Sequence, residues 1–245
     1  MARNTAADSP IEIMDWNSGF ISRLDMERLP VNALTRALNF TVENGAAEKR
    51  YGTSRLNSVD LTTALGVDSI YFSEGLISDK IVVMSGTKII NLTSGTEAVL
   101  ETGLTSGQRW GFAEAVKGAT NNIYMFAEGN APRSWNGSAG TTTAVTGPSV
   151  NCRYAVWHKS RMWALRPANI NLWISKRFDP ETWDTLNYIS ILSPDEGNWT
   201  GMVSREDDLV CFAEGRIFFV YGQNPEPPDV NLQVRRCDRK KHGAI

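Results

Sequence analysis

A strand–turn–strand pattern occurs four times in this chain, and no other feature restricts its folding choices as much. The clearest copy is Asn121 to Gly137, NNIYMFAEGNAPRSWNG. There the β-prone run Ile123-Tyr124-Met125-Phe126 meets turn chemistry at Glu128-Gly129-Asn130, and the chain returns through Arg133-Ser134-Trp135. The pattern recurs as DKIVVMSGTKIINLTSG (Asp79 to Gly95), SRMWALRPANINLWIS (Ser160 to Ser175) and DDLVCFAEGRIFFVYG (Asp207 to Gly222). Its first apolar positions, Ile81, Ile123, Met162 and Leu209, lie roughly 40 to 47 residues apart, the period of propeller blades. Each copy also follows a third strand-like segment: SIYFSEG from Ser69, RWGFAEAV from Arg109, RYAVWHKS from Arg153 and NWTGMVSRED from Asn198. Such a unit cannot cover its own apolar face and must stack on its neighbours. The expectation is an all-β, β-propeller-like fold of about four modules, incomplete or closed by terminal segments. A β-sandwich with similar hairpins is the alternative.

Outside the repeats, residues 1–18 read as an arm, 19–222 as the propeller-like domain and 223–245 as a C-terminal extension. Pro30 to Leu38 suits one short helical turn, with Pro30 in its first turn. Phe40-Thr41-Val42 and Ala47 to Tyr51 flank Glu43-Asn44-Gly45, a strong hairpin signal. This hairpin is expected to belong to the β core, with Phe40 and Val42 inward and Glu43 and Lys49 outward. Val230 to Val234, a strand-like alternation after a Pro-rich stretch, is expected to extend away from the core toward a neighbouring subunit. Four modules also leave unpaired edges at the Ser69 and Leu209 modules, which must be paired or covered.

A formal net charge of −2 over 245 residues gives no global attraction to nucleic acid or to a membrane surface. No apolar run approaches the length of a membrane span, and the N-terminal residues lack a signal-like apolar core, so synthesis in the cytoplasm is expected. The sequons at Asn39, Asn91, Asn136 and Asn198 then read as turn and strand residues. Cys152, Cys211 and Cys237 match no metal or disulfide spacing, and Cys211 reads as a small buried hydrophobe.

No residue stands out as catalytic, cofactor-binding or metal-ligating. His158 and His242 lie in no ligand spacing, and no nucleophile elbow, P-loop or dinucleotide fingerprint is present. Carboxylates that could serve a propeller glycosidase are Asp179, Glu181, Asp195, Glu196 and the run Glu206-Asp207-Asp208, each in a turn where such residues also cap or solvate. Trp110, Trp135, Trp157, Trp163, Trp173, Trp183 and Trp199 recur with the modules. They suit packing between blades, or alternatively sugar stacking. The basic segment Arg235 to His242 reads as a solvated terminus or as a phosphate contact.

The Gly19-Phe20-Ile21 opening, Leu29-Pro30, Ala37-Leu38-Asn39, the Asn-Gly hairpin and Lys49-Arg50-Tyr51-Gly52 resemble the first segment of a family of tailed-bacteriophage β-propeller virion proteins. These are tail nozzles, hubs and packaged-DNA stabilisation proteins of the neck or tail. RMWALRPANINLWISKRFDPETW (Arg161 to Trp183) and WTGMVSREDDLVCFAEGRIFFVYG (Trp199 to Gly222) resemble two of that family's blades. The resemblance implies a non-enzymatic structural protein without cofactor, located in the virion. It would form a ring of six copies that docks on a portal, adaptor or tail-tube protein, with non-specific DNA contact in the channel. A carbohydrate-binding propeller and a glycoside hydrolase are the alternative functions.

Overall fold

The computed structural model describes residues 40–43, 46–49, 60–62, 66–77, 79–138, 140–192, 197–222 and 231–238. The chain divides into two units, Met1–Arg55 and Leu56–Ile245. In the first, β1 (Phe40–Glu43) and β2 (Ala46–Lys49) form a two-stranded antiparallel sheet with Phe40 opposite Lys49 and Glu43 opposite Ala46. The Asn-Gly hairpin therefore forms as the sequence implies. The inward and outward orientation of its side chains, the helical turn at Pro30 to Leu38 and the arm at 1–18 lie outside the described residues.

The second unit holds four antiparallel four-stranded sheets, and no helix occurs among the described residues. Sheet 1 comprises β3 (Val67–Ser73), β4 (Lys80–Ser85), β5 (Lys88–Asn91) and β6 (Ala98–Glu101). Sheet 2 comprises β7 (Gly111–Lys117), β8 (Thr120–Ala127), β9 (Asn130–Trp135) and β10 (Thr143–Ala144). Sheet 3 comprises β11 (Tyr154–His158), β12 (Arg161–Leu165), β13 (Asn171–Ile174) and β14 (Tyr188–Ser190). Sheet 4 comprises β15 (Trp199–Ser204), β16 (Asp208–Ala213), β17 (Arg216–Tyr221) and β18 (Gln233–Asp238). Each is a simple meander in chain order, the architecture of a propeller blade. The first strands β7, β11 and β15 adjoin in succession.

Side chains alternate across a strand, so each sheet has two faces, and parity alone assigns nearly every core residue to one junction. Val82, Met84 and Ile89 of sheet 1 meet Ile123, Met125 and Trp135 of sheet 2. The opposite parity of sheet 2, Ala113, Ala115, Tyr124 and Phe126, meets Met162, Ala155 and Trp157 of sheet 3. The opposite parity of sheet 3, Trp163, Leu165, Leu172 and Ile174, meets Leu209, Cys211, Phe218 and Val220 of sheet 4. The buried stretch Ile123 to Ala127 is apolar on both parities because both faces of β8 are covered.

One expectation is corrected. Asn231 to Val234, the described part of Val230 to Val234, does not reach away from the core. Leu232 packs beside the sheet 3–sheet 4 core, and Gln233–Asp238 pairs along the whole of β17, from Tyr221 opposite Gln233 to Arg216 opposite Asp238. The free backbone groups of β17 outweigh the extended tendency of the preceding prolines. The fourth sheet thus continues past 222, and Arg235 and Arg236 are exposed strand residues rather than part of a loose terminus. As the incomplete reading implies, the four described sheets do not close on themselves, and at the two ends of the array Ile70 and Phe72 of sheet 1 and Val203 and Ile217 of sheet 4 are exposed.

Candidate functional site: the sheet junctions and the two end faces

Each junction is clasped by polar groups near the end of a first strand. Between sheets 1 and 2 the clasp is Glu114 of β7. Its Oε1 accepts from the Tyr71 hydroxyl at 2.9 Å and from the Ser73 hydroxyl, and its Oε2 accepts from the backbone N–H of Leu76 and, at 3.3 Å, of Ile77. Gly75 leaves room for this, since a Cβ there would overlap the carboxylate. The Tyr71 and Phe112 rings stack beside it at 4.7 Å. Farther out, Glu101 of β6 pairs with Arg133 of β9 at 2.8 Å.

Partial burial pushes the Glu114 carboxyl upward, but the hydrogen bonds from Ser73, Tyr71, Ile77 and Leu76 together hold it below the usual glutamate range. Burial, reinforced by the neighbouring Glu114, raises the Tyr71 phenol. A carboxyl with a depressed folded pKa contributes stability that is fully present above its unfolded value, here 4.5, and lost as pH falls through the lower folded value. Urea midpoints measured from pH 7 down to pH 3 are therefore expected to fall more steeply for the wild type than for Glu114→Gln, which should also be less stable at pH 7. Parallel acid limbs would show that Glu114 does not carry this clasp.

Between sheets 2 and 3 the clasp is Glu181, which accepts from the Tyr124 hydroxyl at 3.0 Å and pairs with Lys117. Asp179 shapes the turn that presents it, accepting from the Glu181 N–H at 3.0 Å and the Thr182 hydroxyl at 2.7 Å. These two candidate carboxylates are thus engaged in packing one sheet on the next. Between sheets 3 and 4, His158 Nδ1 lies 2.8 Å from the Ser204 hydroxyl, and Lys159 Nζ donates to the Asp207 carbonyl at 2.7 Å. Burial, with Lys159 nearby, lowers the His158 pKa and keeps the imidazole neutral. Trp199 Nε1 donates to the Asn169 carbonyl at 2.7 Å across the same junction.

Asp195, Glu196 and His242 lie outside the described residues. Glu206, Asp207 and Asp208 follow β15, and among the described residues no three of His, Cys, Asp and Glu gather as metal ligands would. Trp110, Trp135, Trp163, Trp173 and Trp199 are buried, so they are core residues without an indole face for a sugar; Trp157 and Trp183 are half-buried in the sheet 2–sheet 3 region. Cys152 and Cys211 are buried, and burial pushes both thiols well up.

The end faces are the remaining surfaces of note. On sheet 1, Val83 and Ile90 are covered by Leu61, but the flanking Ile70 and Phe72 are 64% and 50% exposed. On sheet 4, Val203, Phe212, Ile217, Phe219 and Tyr221 share the parity that points away from sheet 3, and Val203 is 47% exposed. Sequence reading missed these faces because a both-parity apolar strand gives no indication of which side will stay uncovered.

No protein-family model and no curated protein sequence matches the chain. Among solved structures, it is similar to the extracellular domain of BT4673 from B. thetaiotaomicron, described as a one component system. The identity is 10%, the coverage is 77% of this chain and 24% of that one, and the TM-score is 0.51. Two weaker likenesses are to the WD40 domain of Neurospora crassa Pan2 (11% identity, 70% and 48% coverage, TM-score 0.44) and to PorZ, a surface component of the Porphyromonas gingivalis type-IX secretion system (11%, 71% and 21%, 0.41). The chain therefore spans between 21% and 48% of the length of these structures. At such identities the first likeness concerns the fold alone, and the chain is all-β and propeller-like.

Proposed function

We propose that this chain is a non-enzymatic assembly protein of a tailed-phage virion, part of a ring at the neck or tail that docks on a portal, adaptor or tube protein. The observation that carries an assembly role is the exposed apolar side chains at the two end sheets, Ile70 and Phe72 on sheet 1 and Val203 and Ile217 on sheet 4, on an otherwise well-clasped set of sheets. Exposed apolar surface of this kind marks a protein contact. The virion setting rests on the resemblance of the Gly19 to Gly52 segment and of the two later blades. DNA in the channel would meet the chain through non-specific contacts, with six copies as the resemblance implies.

Peptide mass mapping of density-purified particles from cells that carry the gene tests the reading. Recovery of the chain in constant proportion to the portal protein is expected. Its absence from particles, together with specific capture on a glycan array, would replace this reading with sugar recognition.

A further inference from the structure

Sheets 1, 2 and 3 share one open groove of about 560 Å³ at the C-terminal ends of their first strands, β3, β7 and β11. Its walls are apolar and aromatic. Phe72 and Leu76 are 50% and 43% exposed there, and Val116 and Trp157 are half-buried. Set among them are two carboxylates, the Glu114 of the sheet 1–sheet 2 clasp and the exposed Glu74.

The charge of these carboxylates is not neutralised within the chain. Other carboxylates that join one sheet to the next are matched by a cation, Glu181 by Lys117 and Glu101 by Arg133. Glu114 has only neutral donors, the hydroxyls of Tyr71 and Ser73 and the backbone N–H groups of Leu76 and Ile77, which keep it ionised and leave its charge in place. Among the described residues no lysine or arginine forms an ion pair with Glu114 or Glu74. Apolar walls focus such a field rather than disperse it. The oxygens of Glu114 are already engaged, so it acts through its field, and Glu74 is the carboxylate placed for direct contact.

We propose that this groove docks an arginine-bearing segment of a partner protein, the guanidinium lying against Trp157 and forking onto Glu74 in the field of Glu114, with an apolar neighbour of that arginine against Phe72 and Leu76. Arginine fits this combination better than lysine. Its planar cation is weakly hydrated, stacks on aromatic rings and meets a carboxylate through two parallel N–H donors, and its aliphatic stem suits an apolar wall such as Val116. The open shape favours a side chain carried on a larger partner, because sites for free small molecules enclose most of their ligand. The proposal rests on the groove alone and not on the virion reading.

NMR titration of the ¹⁵N-labelled full chain with the peptide acetyl-Leu-Arg-Leu-amide tests it. Saturating shifts are expected at the Leu76 and Val116 amides and the Trp157 indole N–H, with a Kd of about 1 mM. The same peptide with citrulline, a neutral isostere, in place of arginine should bind roughly tenfold more weakly, and so should methylguanidinium alone, which lacks the apolar neighbours. Glu74→Gln, at an exposed position, should weaken the arginine peptide by about three- to fivefold and leave the citrulline peptide unchanged. Absence of saturable shifts at these three positions up to about 20 mM peptide, where a contact of millimolar Kd is nearly filled, overturns the proposal. So does equal binding of the citrulline peptide, equal binding of methylguanidinium, which would make the groove a small-cation site, or a Glu74→Gln chain that binds the arginine peptide as the wild type does. None of these results would bear on whether the chain belongs to a virion.

Discussion

Alanine at Gly111 should destabilise the four-sheet unit by about 3 kcal/mol, the upper end of ordinary overpacking penalties. Gly111 opens β7 where that strand passes β11, and an added Cβ would overlap the carbonyl oxygen of Arg153. The obstacle is backbone, so no rotamer change relieves it. Either β7 or β11 must move, and both are held in their sheets, β7 to β8 from Gly111 opposite Phe126 onward and β11 to β12 from Tyr154 opposite Leu165. Gly201→Ala is the matched control. Its Cβ would meet only the Phe212 ring, at 3.6 Å, an ordinary contact. Urea unfolding of both variants is the measurement. Equal midpoints would mean that β7 and β11 are not packed as closely as described.

Trp199→Ala is expected to cost about 3 to 5 kcal/mol, the usual range for removing a buried tryptophan. Trp199 is almost fully buried in the sheet 3–sheet 4 core, and its ring meets Phe218 edge-on at 5.5 Å. Truncation also leaves the Asn169 carbonyl without its indole donor. Trp199→Phe should recover part of the packing but not that hydrogen bond, and so fall between the two. A loss below about 1 kcal/mol for alanine, the level of an exposed site, would contradict the placement of sheet 4 against sheet 3.

The repeat was legible because its signal lies in strands buried enough to need apolar residues. Ile81 to Met84, Ile123 to Phe126, Met162 to Leu165 and Leu209 to Phe212 all lie in the second strand of a sheet. The fourth strands were less legible, and a local reason is visible. Thr143–Ala144 is two residues long and Tyr188–Ser190 is largely exposed, so they carry little apolar signal, while the alternation that begins before Gln233 marked a strand without showing that β17 would be its partner. Their pairing is dictated by unsatisfied backbone groups on the preceding strand, which sequence patterns do not encode.

The same contrast holds for the polar residues. Glu114, which clasps sheets 1 and 2, sits in the strand-like run Gly111 to Val116 between two alanines, where a lone carboxylate suggests only a solvated face. Its partners Tyr71, Ser73, Leu76 and Ile77 come from about 40 residues earlier, and only the stacking of sheets brings them together. Asp179 and Glu181 were recognisable as a turn. That the turn reaches Lys117 and Tyr124 of the neighbouring sheet was not, because the contact spans a module boundary. For Trp110, Trp135, Trp163, Trp173 and Trp199 the packing reading was correct, for a general reason: a large side chain recurring at the module period fills the same kind of junction each time.

Electron cryo-microscopy of tailed-phage particles carrying a tagged copy of this chain tests the assembly role most directly. The expected result is tag density at the neck or tail, repeated with rotational symmetry around the axial channel. Density on the capsid surface, a single copy on the axis, or particles of full infectivity that lack the chain would contradict it.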